Sequence, residues 1–315
     1  MDRQSEKYCA YVQILKEELI TAMGCTEPIA LAYAAARCRE ILEKLPEKIS
    51  VEVSGSIIKN VKSVVVPNTG GMKGIQAAVA AGIVAGKAEK RLEVISEVTE
   101  EECREIQQYA EQTEIEICHL NSEHVFDILI TAFCGEDTAK VRITNYHTNI
   151  VLEEKNGKTL LETMVEGDHE EGLTDRSLLD MEDIWDFAMT CDIADVKDIL
   201  DHQVDCNMAI AEEGMKHPYG ACIGQVLLDA WGDGIRNRAC AKAAAGSDAR
   251  MSGCELPVVI NSGSGNQGIT CSVPVVEYAK ELQSGEEKMY RALTLSNLVA
   301  IHQKTGIGRL SAFCG

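Results

Sequence analysis

Between residues 6 and 23 the apolar positions Tyr8, Tyr11, Val12, Leu15, Leu19 and Ile20 recur at steps of three and four, which places them on one face of a helix. After Gly24 an alanine-rich run to about Lys44 predicts a second helix, with Thr26 as candidate N-cap, Glu27 as an early-turn acid and Pro28 in the first turn. β-Branched residues at 49–53 and 57–66 predict two strands, followed by the turn Pro67-Asn-Thr-Gly-Gly71 and a helix over about 74–88. The texture changes between 91 and 166. One helix at 100–112 precedes short alternating runs at 114–119, 125–132, 139–144, 149–153 and 159–163, with Lys155-Asn-Gly-Lys158 as a hairpin turn. From Thr174 the pattern is helical again, punctuated at 217–220, 232–234 and 256–257. The expected fold class is α+β: a mainly helical domain built from 1–90 and 167–315, with a small α+β domain inserted at 91–166.

Charge narrows the function classes. The chain carries 30 basic and 50 acidic residues, a formal net charge of −20, which repels phosphate backbones and anionic lipid. No stretch approaches eighteen uninterrupted apolar residues, and the start lacks the apolar core of a secretion signal. These features exclude nucleic-acid binding and membrane spanning and point to small-molecule chemistry. The thirteen cysteines are odd in number and contain no CxxC; the closest two, Cys25 and Cys38, are thirteen residues apart. A metal would therefore have to be held by distant segments, and a reducing, cytoplasmic compartment is expected. A homo-oligomer is compatible with the sequence.

Three cysteines, Cys25, Cys271 and Cys314, sit in or beside glycine- or serine-bearing turns, whereas most others fall within helix-like runs and read as buried packing. A cysteine placed like Cys25 is, taken alone, more often packing than chemistry, but the positive end of the following helix favours its thiolate. Ser262-Gly-Ser-Gly-Asn-Gln-Gly268 contains GxGxxG after a strand-like 257–260, yet too little chain follows for a dinucleotide-binding fold. An anion-binding loop or a plain strand-to-helix turn remains. The Ser-Gly-Asn core also resembles the carboxylate loop of pyridoxal-phosphate β-eliminases, although the lysine candidates Lys242 and Lys73 lack the flanking pattern. The Pro67–Gly74 segment is not a phosphate-binding P-loop, but its backbone N–H groups suit a carboxylate at the next helix start. The acidic runs near 166–171 and 181–186 read as solvated faces, and His217 is open to a structural or a functional role.

Met-Gly-Cys25-Thr-Glu-Pro, Val66-Pro-Asn-Thr-Gly-Gly-Met-Lys-Gly, Lys216-His-Pro-Tyr-Gly, Ala244-Ala-Gly-Ser-Asp-Ala-Arg-Met-Ser-Gly, Ser262-Gly-Ser-Gly-Asn-Gln-Gly and Arg309-Leu-Ser-Ala-Phe-Cys-Gly together resemble L-cysteine desulfidase, a group related to the α-chain of iron-sulfur L-serine dehydratases. The likeness is co-linear along essentially the whole chain. It implies a 4Fe-4S cluster held by three cysteines, and β-elimination of L-cysteine to pyruvate, ammonia and hydrogen sulfide. By the same likeness Cys25 is the base that takes the α-proton, and Cys271 and Cys314 are cluster ligands. The loops with Asn68, Thr69 and Gly70 and with Ser262, Ser264 and Asn266 hold the substrate carboxylate. The family's third ligand is expected a few residues beyond Cys314, where this sequence ends at Gly315. A truncated chain is one expectation, in the limit an inactive fragment acting only as a binding module; completion of the site by a partner chain or by another cysteine such as Cys254 is the other. L-Serine dehydration by the same cluster is the alternative reaction.

Overall fold

The computed structural model describes residues 1–163 and 173–307. The fold is mixed α+β, as its periodicities predict. It divides into two compact units, Met1–Ala22 with Glu171–Gly315, and Met23–Glu170.

Ser5 accepts the Tyr8 N–H and opens α1 (Glu6–Glu18), which buries Tyr8, Tyr11, Ile14 and Leu15. The helix does not run on to Met23: Leu19 leaves helical geometry and the chain enters β1 (Thr21–Met23).

In the Met23–Glu170 unit, α2 (Thr26–Leu42) is followed by β2 (Lys48–Val53), α3 (Gly55–Val61), α4 (Gly74–Ala85) and α5 (Glu100–Gln112). Five strands come next: β3 (Glu114–His119), β4 (Asp127–Cys134), β5 (Asp137–Thr144), β6 (Ile150–Lys155) and β7 (Lys158–Glu162). They join β2 in one six-stranded sheet, in the order β3-β2-β4-β5-β6-β7. β2 pairs parallel with β3 and antiparallel with β4, and the remaining pairs are antiparallel. The sheet thus takes a central strand from residues 48–53, so its α+β character extends beyond the 91–166 segment read from sequence. Alternate residues Ile49, Val51 and Val53 of β2, Ile128 and Ile130 of β4, and Val141 and Ile143 of β5 are buried. α2 packs on β4 and β5 and, with α4, forms a nearly all-apolar helical layer. Cys38 of α2 donates to the carbonyls of Ile130 and Ala139, and burial pushes its thiol up to about 12.

The strand expected over 57–66 is instead the helix α3 followed by an extended Val64–Val66 stretch bridged to Lys73. Ile57 and Val61 are buried four residues apart while Lys59 between them is exposed, a helical repeat in spite of the β-branched composition. Both sides of β2 are already occupied by β3 and β4, so the next segment has no sheet edge beside β2 to join.

The other unit continues with α6 (Met181–Thr190), α7 (Lys197–Lys216), α8 (Ile223–Trp231), α9 (Ile235–Met251), β8 (Pro257–Val259), α10 (Gly265–Glu281) and α11 (Glu286–Ile307). α7, α9 and α10 pack against one another, with Ala239, Ala241, Ala243, Ala245 and Ala249 keeping α9 narrow. β8 pairs with β1, and the Ile260 N–H donates to the Ile20 carbonyl at 3.0 Å. That pairing is what takes Ile20 and Thr21 out of the first helix. No helix among the described residues is long and apolar enough to cross a membrane.

Candidate functional site

Cys25 itself, not Thr26, is the N-cap of α2, and Pro28 falls within the first turn as proline tolerates. The thiol is 5% exposed and its Sγ donates to Glu27 Oε2 at 3.0 Å. The same carboxylate oxygen accepts from Thr26 Oγ1 at 3.2 Å, and Oε1 accepts from Asn60 Nδ2 of α3 at 3.4 Å. Glu27 is therefore oriented from two elements and is half-buried. The turn that delivers Cys25 lies against the 67–74 loop. A Cβ on Gly24, whose φ is +64°, would stand 2.5 Å from Pro67 Cγ, and Asn68 Nδ2 approaches Met23 Sδ at 3.7 Å.

The structure thus brings Cys25 together with the Asn68–Gly70 loop, and shows what the loop's side chains do. Asn68 donates to the Ile95 carbonyl at 2.8 Å, and Thr69, fully buried, donates to the Val66 carbonyl at 2.7 Å. The Gln107 amide of α5 donates to the Thr69 carbonyl at 3.1 Å and fills the space a Gly70 side chain would need. Asn68 and Thr69 brace the loop from within, so a carboxylate arriving here would meet backbone N–H groups before side-chain ones.

Ser262, Ser264, Asn266 and Cys271 belong to the other unit, where β8 turns into α10. Ser262 and Gly263 both take positive φ, and Ser264 caps α10 by accepting the Gln267 N–H. A Cβ on Gly268 would sit 2.0 Å from the Val259 carbonyl oxygen, so the helix start is pressed directly on the strand. The glycine-rich sequence therefore makes a strand-to-helix loop, and β8 lies in a two-stranded sheet rather than in a parallel dinucleotide-binding one. A chain of buried amides holds the loop: Gln267 donates to Asn261, Asn261 to Asn297, and Asn297 exchanges two bonds with Gln203.

Arg250, near the end of α9, is 3% exposed and donates to Asn266 Oδ1 at 3.0 Å. Its guanidinium lies against Gly265, where a Cβ would come within 2.3 Å of Nε. Arg250 and Glu27 both lie inside motifs quoted above, but nothing in their spacing sets them apart from an ordinary helix-end cation and first-turn acid. The signal is their burial and their partners.

Cys271 is 8% exposed on α10, and burial pushes its thiol up to about 12 although the Ser296 hydroxyl works the other way. A buried thiol in apolar surroundings is a soft donor that a metal would deprotonate. It fits the role of a cluster ligand by its chemistry. Among the described residues no group of three or more His, Cys, Asp and Glu is arranged to hold a metal ion. Cys314, the other expected ligand, lies outside the described residues. Cys254 is held otherwise: its thiol meets the Tyr219 hydroxyl, which donates to Glu213 Oε1 at 3.1 Å. Of the two lysines weighed as Schiff-base candidates, Lys242 is in an ion pair with Glu277 at 2.7 Å and Lys73 caps α4 through its backbone.

Residues 89–315 match the family model described as serine dehydratase alpha chain. The chain is 58% identical over 318 residues to a UPF0597 protein of Desulfitobacterium hafniense, an alignment covering all of this chain and 73% of that one. It is 47% identical over 308 residues to a UPF0597 protein of Lachnoclostridium phytofermentans, covering 98% of this chain and 74% of that one. A UPF0597 protein of Treponema denticola is also 47% identical, over 321 residues, with 100% and 74% covered.

Proposed function

Because the chain belongs to the serine dehydratase alpha-chain family, a lyase family typically associated with iron-sulfur clusters, we propose that it catalyses β-elimination of L-cysteine to pyruvate, ammonia and hydrogen sulfide in the cytoplasm. The observation that carries this reading is the Cys25 thiol at the start of α2, hydrogen-bonded to a fixed carboxylate and set against a loop suited to an anion. Cys25 takes the α-proton. Each unit offers a loop whose backbone N–H groups suit a carboxylate: 67–74 in one, and 262–268 at the positive end of α10 in the other. Arg250 holds Asn266 in place at the second. Cys271 and Cys314 would hold a 4Fe-4S cluster, whose iron would supply a soft Lewis acid for the departing sulfur. Loss of the α-proton and of the β-substituent leaves 2-aminoacrylate, which hydrolyses to pyruvate and ammonia.

The family description favours a second reading, L-serine as substrate with a hydroxyl as leaving group. Both readings are tested on anaerobically purified protein by assaying iron, acid-labile sulfide, and sulfide and pyruvate release without added pyridoxal phosphate. Cluster-dependent turnover of L-cysteine is expected. Faster turnover of L-serine at equal concentration selects the second reading, and turnover without iron overturns both. Cys25→Ser should keep its iron and lose α-proton exchange, and loss of iron in that variant would make Cys25 a ligand instead.

A further inference from the structure

We propose that Glu27 is the proton partner of Cys25, holding the thiol by a hydrogen bond at rest, taking its proton when Cys25 acts as the base, and passing that proton on to solvent. The inference rests on the assignment of Cys25 as the base but concerns a residue which that assignment leaves without a role. Three observations carry it. Cys25 Sγ donates to Glu27 Oε2 at 3.0 Å, so a carboxylate stands within hydrogen-bond reach of this thiol. The Thr26 hydroxyl and the Asn60 amide both donate to the same carboxylate, fixing its orientation. Finally, the thiol is buried and Glu27 only half-buried, so of the two groups Glu27 is the one that meets water.

The chemistry balances without an added reactant. The Cys25 S–H proton passes to Glu27 Oε2, leaving a thiolate beside a carboxylic acid. A thiolate electron pair then takes the substrate α-proton, so that an S–H bond forms as the Cα–H bond breaks. The pair from that bond becomes the Cα–Cβ double bond and the leaving group departs with the β-bond electrons. Glu27 gives its proton to solvent, and the regenerated thiol again donates to its carboxylate.

Two influences on the resting thiol oppose each other. The start of α2 favours a thiolate with about half a positive charge spread over the first turn, whereas an ionised carboxylate in contact disfavours it with a full charge. In contact the full charge outweighs the partial one, and removing it leaves the helix start alone to act on the thiol. A distinctive pair of effects follows for Glu27→Gln: a more reactive thiol and a slower enzyme. Iodoacetamide labelling of the full chain at neutral pH, read peptide by peptide, should modify Cys25 about tenfold faster in Glu27→Gln than in wild type. Glu27→Asp should fall between the two, and Cys38, sealed under the sheet, should remain unlabelled throughout. With L-cysteine, Glu27→Gln should lower kcat by about 100-fold and leave KM within about threefold. An unchanged Cys25 labelling rate overturns the proposal, and so does a rise shared by Cys38, which would signal loosened packing. If Cys25→Ser retains full turnover, the assignment of the base fails, while the labelling comparison still decides whether Glu27 governs the Cys25 proton.

Discussion

At the scale of single residues, the loop before α10 is set by what occupies the place of absent side chains. The Arg250 guanidinium fills the volume over Gly265 and keeps the Asn266 amide turned toward it. Gly265→Ala would put a methyl 2.3 Å from Arg250 Nε and 2.9 Å from Val258 Cγ2, so the guanidinium must withdraw and Asn266 loses its donor. With the loop as a carboxylate site, KM for the amino acid should rise about tenfold, equivalent to about 1.4 kcal/mol of binding, with a smaller change in kcat. Arg250→Lys should give a similar increase, since an ammonium lacks the planar fork that spans Gly265 and reaches Asn266 at once. Steady-state kinetics on both variants check this, with thermal midpoints to separate a loop effect from general destabilisation. An unchanged KM in both would remove the loop from substrate binding.

At the scale of elements, the pairing of α9 with α10 includes an ionic contact whose pH dependence has a definite sign. Glu277 of α10 is 3% exposed and receives Lys242 at 2.7 Å and Arg238 at 3.1 Å, both from α9. Burial pushes its carboxyl up, but the hydrogen bonds from Lys242 and Arg238 and the charges of Lys242 and Lys280 outweigh that and hold it below the usual carboxylate range. A carboxylate with a depressed folded-state pKa contributes stability that is present above its unfolded value of about 4.3 and is lost as pH falls through the folded one. Glu277→Gln should therefore cost about 2 kcal/mol at neutral pH, less than a fully buried pair because both cations are partly exposed. Urea denaturation at pH 7 and again below pH 4 should show the gap between variant and wild type closing. The elements also show how far the sequence could be read. The helix at 100–112 carries a Thr99/Glu102 capping box and matches its expected bounds, because local signals there agree with the tertiary context. The strands from 114 to 162 were legible from alternation for the same reason. α1 and α3 were misjudged where partners far along the chain decided the outcome: β8 drew Ile20 and Thr21 into a strand, and β3 and β4 occupied both sides of β2. The site divides likewise. Among the candidate residues, Cys25 and the two glycine-bearing loops stand out in the sequence, whereas Glu27 in the one unit and Arg250 in the other are visible only through burial and hydrogen bonds.

At the scale of the whole molecule, the question is whether the two units are stable separately. The 23–170 unit is continuous in sequence and has its own layered core: α2 and α4 in a helical layer, with α2 laid on β4 and β5 of the sheet. Two ionic contacts lie within it. Arg37 makes two bonds to Glu153, and Arg142 makes two to Asp127, whose side chain has no exposed surface. A segment of this length, within the usual range of single domains, that closes its own core and pairs its own buried charges meets the physical requirements for folding alone. The other unit is discontinuous, because α1 and the start of β1 come from the first 22 residues whereas β8, the partner of β1, follows only after residue 170. Its strand pairing closes a long loop, whose entropic cost is small once the intervening unit is folded. The expectation is that residues 23–170 expressed alone will unfold in one cooperative transition with a dispersed amide spectrum, and that the full chain will show two calorimetric transitions. Asp127→Ala leaves Arg142 without its buried carboxylate and should lower only the transition shared with the isolated fragment, whereas Glu277→Gln should lower only the other. If the isolated fragment is instead unfolded, or either variant moves both transitions equally, the units are not independently stable, and the family match over 89–315, which begins inside the second unit, describes a single cooperative body.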